Sequence, residues 1–300
     1  MVIAAGMHPR YWSYAHARLY TGRLNIPAIK QTTGIQNLDT DAYLNQRVAY
    51  PLLEEQRAIA DYLDRETAQI DALIAAKARL LTLLAEKRRA LITRAVTRGL
   101  DPHAPLRESG LPWLGQVPAH WEVKKLKHIA LLKSGDFITS DSIAPTGDYP
   151  VFGGNGVRGF SSLFTHNGDY VLIGRQGALC GNINYASGRF WATEHAVVAY
   201  IQGEHEFVWL GELLKIMNLN QFSQSAAQPG LAVEVVANLG IAVPPLKEQR
   251  IIVAHIAAET ARLDALAAAA TRSLALLKER RAALIAAAVT GQIEISENVI

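Results

Sequence analysis

The chain has 300 residues, and 30 Lys+Arg against 27 Asp+Glu give a formal charge of +3. That balance excludes a strongly basic nucleic-acid-binding tail or an acidic disordered tail as the dominant feature. Hydrophobic residues make up 50% of the chain, enough for a sizeable core and about two domains. The single cysteine, Cys180, rules out an internal disulfide framework and fits a reducing cytoplasm. The apolar start is too short for a signal peptide, and no run approaches the ~18 residues of a membrane span, so a cytoplasmic location is expected.

The most informative feature is an internal repeat. Glu55-Gln56-Arg57 recurs as Glu248-Gln249-Arg250, and at this offset of 193 the stretch Pro51–Thr97 matches Pro244–Thr290 without a gap at 26 of 47 positions. Such identity implies duplication of one structural unit. Each copy reads as one long helix, over 51–100 and again from 244 into the tail at 300. Leu63, Ile70, Lys77, Leu84 and Leu91 step by seven, as do Ile256, Leu263, Ala270, Leu277 and Leu284. Leu73 and Leu266 are expected at the second seam position. A seven-residue step keeps one stripe toward a partner helix, and about 44 residues at ~1.5 Å each give roughly 66 Å of helix. The natural partner of each copy is the other, packed antiparallel with a pseudo-twofold. The plainer alternative is two independent helices, each packed on its own globular domain.

Between the helices, residues 101–125 read as an irregular linker broken by prolines and glycines, with Trp113 and Trp121 pinning it to the next domain. Residues 126–243 then show short β-like runs such as YVLIG and AVVAYI, a helix over Glu206–Asn218 and an irregular stretch after it. The fold class is therefore α+β: a mixed α/β domain plus two long helices forming an antiparallel coiled coil. Across 101–240, 9 Lys+Arg against 12 Asp+Glu give −3, so no broad phosphate-neutralising face is evident. The segments around Asn155 and Arg158, and around Arg175, Gln176, Asn182 and Asn184, offer side chains able to pair with guanine or adenine, and glycines that let backbone approach a phosphate. The same composition also makes tight turns.

Catalytic patterns do not survive inspection. Phe152–Gly156 has the spacing of a methyltransferase F-x-G-x-G loop but no following helix. Val243-Pro-Pro-Leu246 lacks the polar group and aromatic that hold a flipped base. No phosphate loop is present. The histidines lack metal spacing, Thr193-Glu194-His195 reads as a structural cluster, and Cys180 has no adjacent base.

The paired Pro-x-x-x-Glu-Gln-Arg helices, the Ser109-Gly-Leu-Pro-Trp-Leu-Gly115 linker and the Gly153–Phe160 and Ile173–Asn182 segments together resemble the specificity subunit of type I restriction-modification systems. The resemblance implies a target-recognition domain over 126–243 that reads one half of a split double-stranded DNA site. It implies contacts from Lys133, Asn155, Arg158, Arg175, Gln176 and Asn182. The seam residues would build a coiled coil that docks the methyltransferase (modification) subunits, with a restriction/translocase subunit completing the complex. It implies no catalysis and no cofactor or metal in this chain, with adenosylmethionine, ATP and Mg held by the partner subunits. Residues 1–50 resemble only the C-terminal end of a first recognition domain, as in an N-terminally truncated subunit. Trp12 precedes Pro51 as Trp209 precedes Pro244, and Gln31–Gly34 stands where Gln228–Gly230 stands. That implies an exposed apolar face on 1–50 and, if the truncation is natural, a homodimer. The competing reading is a coiled-coil adaptor whose middle domain binds a protein or glycan, which the acidic middle block favours.

Overall fold

The computed structural model describes residues 6–23, 25–32, 35–45, 47–177, 179–223 and 230–295; Thr33, Gly34, Gln228 and Pro229 of the compared loops lie outside them. The chain forms two compact units, one of residues 1–85 with 264–300 and the other of residues 86–263. The first opens with helix α1 (Pro9–Thr21), started by a proline in its first turn. A hairpin of β1 (Ile29–Thr32) and β2 (Ile35–Leu38) follows, then a short α2 (Thr40–Leu44) whose N-cap Asp39 accepts two backbone N–H groups. Tyr20, Leu44 and Tyr50 are exposed in this stretch, as expected for it.

The long helix α3 runs Leu53–Arg98. Glu55 reaches back to the Leu52 N–H (3.1 Å), closing the first turn. Gly99, at φ +72°, ends the helix in the left-handed conformation that glycine adopts without strain.

The expected irregular linker is more ordered than its prolines imply. β3 (Leu106–Glu108) pairs with β4 (Gln116–Pro118), and β5 (Glu122–Lys125) follows. Proline is tolerated here because each ladder is two-stranded and Pro118 sits at a strand end. Trp121 is buried and donates its indole N–H to Glu248 (3.1 Å), while Trp113 donates to the Gly240 carbonyl (3.1 Å).

The middle region then lays down β6 (Ala130–Ser134), β7 (Tyr149–Gly153), β8 (Gly156–Ser161), β9 (His166–Asn167), β10 (Tyr170–Gly174), β11 (Ile183–Ala186), β12 (Arg189–Ala192) and β13 (Ala196–Ile201). They form two four-stranded sheets, ordered β11-β10-β13-β6 and β8-β7-β12-β9. Strand periodicity divides the first sheet's residues. Val171, Ile173, Val197 and Ala199 join the main core with Trp209, Leu210, Leu213 and Leu214 of helix α4 (Phe207–Ile216). Leu172 and Val198 pack with Phe152 and Phe190 of the second sheet. A short α5 (Val233–Ala237), then β14 (Gly240–Val243) paired with β5, lead into the second long helix α6 (Leu246–Val289).

In both units early α3 or α6 residues meet late residues of the other helix, the antiparallel arrangement. In the first unit Leu63 packs with Ile285 and Ala288, and Arg281 forms a two-pronged ion pair with Asp71 (2.8 and 3.0 Å). In the second, Ala95 and Val96 share a core with Ile252 and Ile256. Leu63, Ile70, Ile256 and Leu263 are buried, and Leu84, Leu91, Leu277 and Leu284 are half-buried, on the expected stripe. Leu73 and Leu266 are not on the seam, being 51% and 57% exposed. The second row lies four residues after the first, at Thr67, Ile74 and Leu81, and at Thr260, Ala267 and Leu274. The row at plus three begins with Glu66 and Glu259, whose charge resists burial, whereas Thr67 and Thr260 return their hydroxyls to the carbonyls of Leu63 and Ile256 (2.6 and 2.7 Å).

The duplicated glutamine does the same work twice. Gln56 and Gln249 have no exposed surface. Gln56 donates to the Pro51 carbonyl (2.8 Å) and accepts the His8 N–H at the cap of α1 (2.9 Å). Gln249 donates to Pro244 (2.9 Å) and accepts the Glu206 N–H at the cap of α4 (2.9 Å). Helix α1 thus occupies in its unit the place of α4, with Tyr11, rather than Trp12, at the position of Trp209.

Gln249→Leu or Gln56→Leu strands a buried N–H and carbonyl. Each should therefore lower stability by ~1–3 kcal/mol, read as a lower urea midpoint. A pH effect follows from His166, which is buried, stacked on Phe190 and bonded to Tyr200 (2.6 Å). Burial holds its pKa below the ordinary 6.5. The unfolded chain then binds the proton first, so stability is full above about pH 6.5 and falls as pH drops through the folded pKa. Chemical denaturation at a series of pH values should show that loss, and His166→Phe should flatten it.

Candidate nucleic-acid interface

One end of the two sheets gathers their loops. The Gly153–Gly156 turn joins β7 to β8, the segment after Gly174 joins β10 to β11, and Thr193–His195 joins β12 to β13. Glycine permits the crowding. A Cβ on Gly174 would collide with the Gly154 carbonyl, and one on Gly154 would lie 3.1 Å from the His195 carbonyl. Backbone bonds tie the loops together: Arg175 N–H to His195 O (2.9 Å), Thr193 N–H to Phe152 O (2.9 Å) and Leu231 N–H to Arg175 O (2.9 Å).

These ties bring five of the six expected contact residues to one place. Asn182 donates to Asn155 across two loops (2.6 Å), and both are exposed. Arg158 is exposed on β8 and folds its aliphatic stem over Gly153. Gln176 is exposed and bridges to Gly230. Arg175 is half-buried and donates to the Ser134 hydroxyl (3.1 Å), so part of its guanidinium already serves the fold. Lys133 departs from the group. Strand alternation turns it to the opposite face from Ser134, where its ammonium lies 6.0 Å from the Tyr200 ring.

Two polar residues outside the expected contact set also lie here: Asn184, named with its segment only, and Glu194, read as part of a structural cluster. Asn184 stands two residues beyond Asn182, on the same side of β11; its Oδ1 lies 3.3 Å from where a Gly156 Cβ would sit, and its Nδ2 is buried without a partner among the described residues. The i, i+2 spacing of two asparagines at a strand start was the available signal. Glu194 pairs with His195 (3.2 Å) and keeps its other carboxylate oxygen buried and unpartnered among the described residues. Amide groups and carboxylates of this kind read base edges by donor and acceptor pattern. Cys180, buried with its thiol directed to the Arg175 carbonyl (3.3 Å), is held up in pKa chiefly by burial, the state of a packing group. Among the described residues no group of His, Cys, Asp and Glu could hold a metal ion, and no helix is long and apolar enough to cross a membrane.

Gly174→Ala should push the β10 end from the Gly153–Gly156 turn. A stability loss of ~1–3 kcal/mol is expected, with amide exchange rising in both loops. Asn182→Ala should leave stability within ~0.5 kcal/mol of the parent.

Comparison with known proteins fits this geometry. Residues 118–266 match the family model for the Type I restriction modification DNA specificity domain. A 135-residue stretch is 42% identical to the type I restriction enzyme EcoprrI specificity subunit of Escherichia coli, covering 44% of this chain and 34% of that protein. A putative type I specificity subunit of Haemophilus influenzae is 29% identical over 123 residues, 40% of this chain and 32% of its own length. The matches thus span about a third of these relatives. Among solved structures, the HsdS subunit from Thermoanaerobacter tengcongensis aligns over 96% of this chain and 71% of its own with a TM-score of 0.58 at 20% identity. The S subunit from M. genitalium aligns over 95% and 73% with a TM-score of 0.52 at 19% identity. The fold is shared with these structures, and residues 118–266 carry the match to the Type I restriction modification DNA specificity domain.

Proposed function

We propose that this chain is a non-catalytic DNA-recognition subunit of a type I restriction-modification complex, reading one half-site through the loop cluster of Asn155, Arg158, Arg175, Gln176 and Asn182. The carrying observation is the convergence of exposed amide and guanidinium side chains at one sheet end, tied by the Asn182–Asn155 bond, in the stretch that matches the DNA specificity domain. The paired helices are the surface for modification subunits, and a restriction/translocase subunit would join them. Adenosylmethionine, ATP and Mg would be held by those partners. Lys133, set apart on its sheet face, is assigned a phosphate rather than a base.

The acidic balance of the domain shapes the energetics. Few cations are available for phosphate, so base contacts must carry more of the affinity of this chain alone. With Lys133 on a phosphate, and Arg158 and Arg175 adding their charge at the bases, at most three cations enter, and log K against log salt should have a slope no steeper than roughly −3. A slope steeper than about −6 in fluorescence anisotropy would show a basic face elsewhere. Methylome sequencing with and without the gene should show loss of one adenine-methylated motif. Arg158→Ala should weaken or relax recognition by ~1–3 kcal/mol; an unchanged motif and affinity would remove Arg158 from the interface. The adaptor reading draws on the same acidic charge, and an unchanged methylome with no DNA binding would favour it.

A further inference from the structure

The loop cluster at the sheet end carries a single acid. Across segments 153–158, 174–184 and 193–196 the only Asp or Glu is Glu194. Its backbone has little freedom. Residues 193–196 form a β-turn closed by the Ala196 N–H on the Thr193 carbonyl (2.9 Å), with Glu194 and His195 at its centre. Thr193 has no exposed surface; it donates its N–H to the Phe152 carbonyl (2.9 Å) and accepts the His195 N–H on its hydroxyl (3.3 Å). The His195 carbonyl accepts the Arg175 N–H (2.9 Å). Both sheets therefore hold the turn, and the Glu194 side chain stands on a fixed mount.

That side chain is only half satisfied. One carboxylate oxygen, Oε1, lies 3.2 Å from His195 Nε2. The other, Oε2, is shielded from solvent and is the one carboxylate oxygen left buried without a partner among the described residues. An acceptor in that state is costly. It also holds nothing in place, so turning it toward a donor breaks no hydrogen bond. With 34% of the side chain exposed, a short rotation suffices.

We infer that Glu194 selects a C·G base pair in the half-site, an assignment that rests on the DNA-recognition function proposed for this cluster. An ionised carboxylate only accepts hydrogen bonds, and phosphates repel its charge, so it is tolerated against DNA only where it meets a donor. In the major groove the donors are the amino groups of cytosine N4 and adenine N6; guanine and thymine present acceptors. Adenine sets its N7 acceptor beside N6, whereas cytosine presents N4 alone, so cytosine wins. In the minor groove the only donor is the guanine N2 amino group. Either approach selects the same pair, while His195 keeps the other oxygen.

The test is methylome sequencing of cells in which the gene is replaced by Glu194→Ala or by the isosteric Glu194→Gln, with chain levels followed by immunoblot. The wild-type motif should contain a C·G pair that both variants loosen while every other position stays fixed. Glu194→Ala should accept any base pair there. Glu194→Gln should admit A·T, because a glutamine amide matches adenine N6 and N7. Methylation at the newly admitted sites should rise at least about tenfold over wild type. Three results overturn the assignment and leave DNA recognition standing: a wild-type motif without a C·G pair, a motif unchanged in both variants, or methylation lost at every site in both variants at normal chain levels. A wild-type methylome with no motif that depends on the gene removes DNA recognition, and the assignment with it.

Discussion

A glutamine with no exposed surface sits one turn into each long helix, and much of the architecture hangs on its amide. Burying an unpaired amide is costly, so Gln56 and Gln249 hold only where a proline carbonyl lies behind and a helix-cap N–H lies in front. Meeting both conditions fixes the entry of the long helix relative to the shorter helix packed on it. In the second unit that fixes β14, hence β5, hence the direction from which the chain enters the two sheets. The proline is part of the same device, since it cannot continue the preceding strand and its carbonyl is free to accept.

Much of this was legible as a repeat. The 193-residue offset by itself pairs the two glutamines, and the seven-residue step of Leu63, Ile70 and their counterparts finds the first buried stripe. The second stripe was misplaced because leucine at 73 and 266 outweighed the poor fit of Glu66 and Glu259 in the same row. Polarity of the row decides burial, and threonine qualifies because its hydroxyl is satisfied within its own helix. The strands of 101–125 were hidden by prolines that lie at strand ends. Helix α1 could be matched to α4 only through the cap bond to Gln56, since Tyr11 and Trp209 share little beyond size.

The site was legible as composition and illegible as geometry. Glycine, asparagine and arginine near 153–158 and 174–182 read equally as turns or as contacts, and the structure shows the turns. The turns bring Asn155 to Asn182, and the side chains left outside are the exposed ones. Lys133 was recommended by charge alone, and strand alternation sets it apart from Ser134 and Arg175. Asn184, named only with its segment, is set apart by a side-chain amide buried without a partner among the described residues, a property of the packing rather than of the spacing.

The loops at the sheet end are held mainly by main chain: carbonyls and amides of Gly154, Arg175, Thr193 and His195 meet where side chains are absent. A lattice of this kind is indifferent to what the exposed positions carry. Asn155, Gln176 and Asn182 could each be exchanged for another polar residue with the scaffold unmoved, so under the proposed function the domain can change what it reads without relearning how to fold. The limit falls at Arg175 and Gly174, where a guanidinium is tied to Ser134 and a missing Cβ admits the Gly154 carbonyl, so drift at those two positions would be felt first as instability.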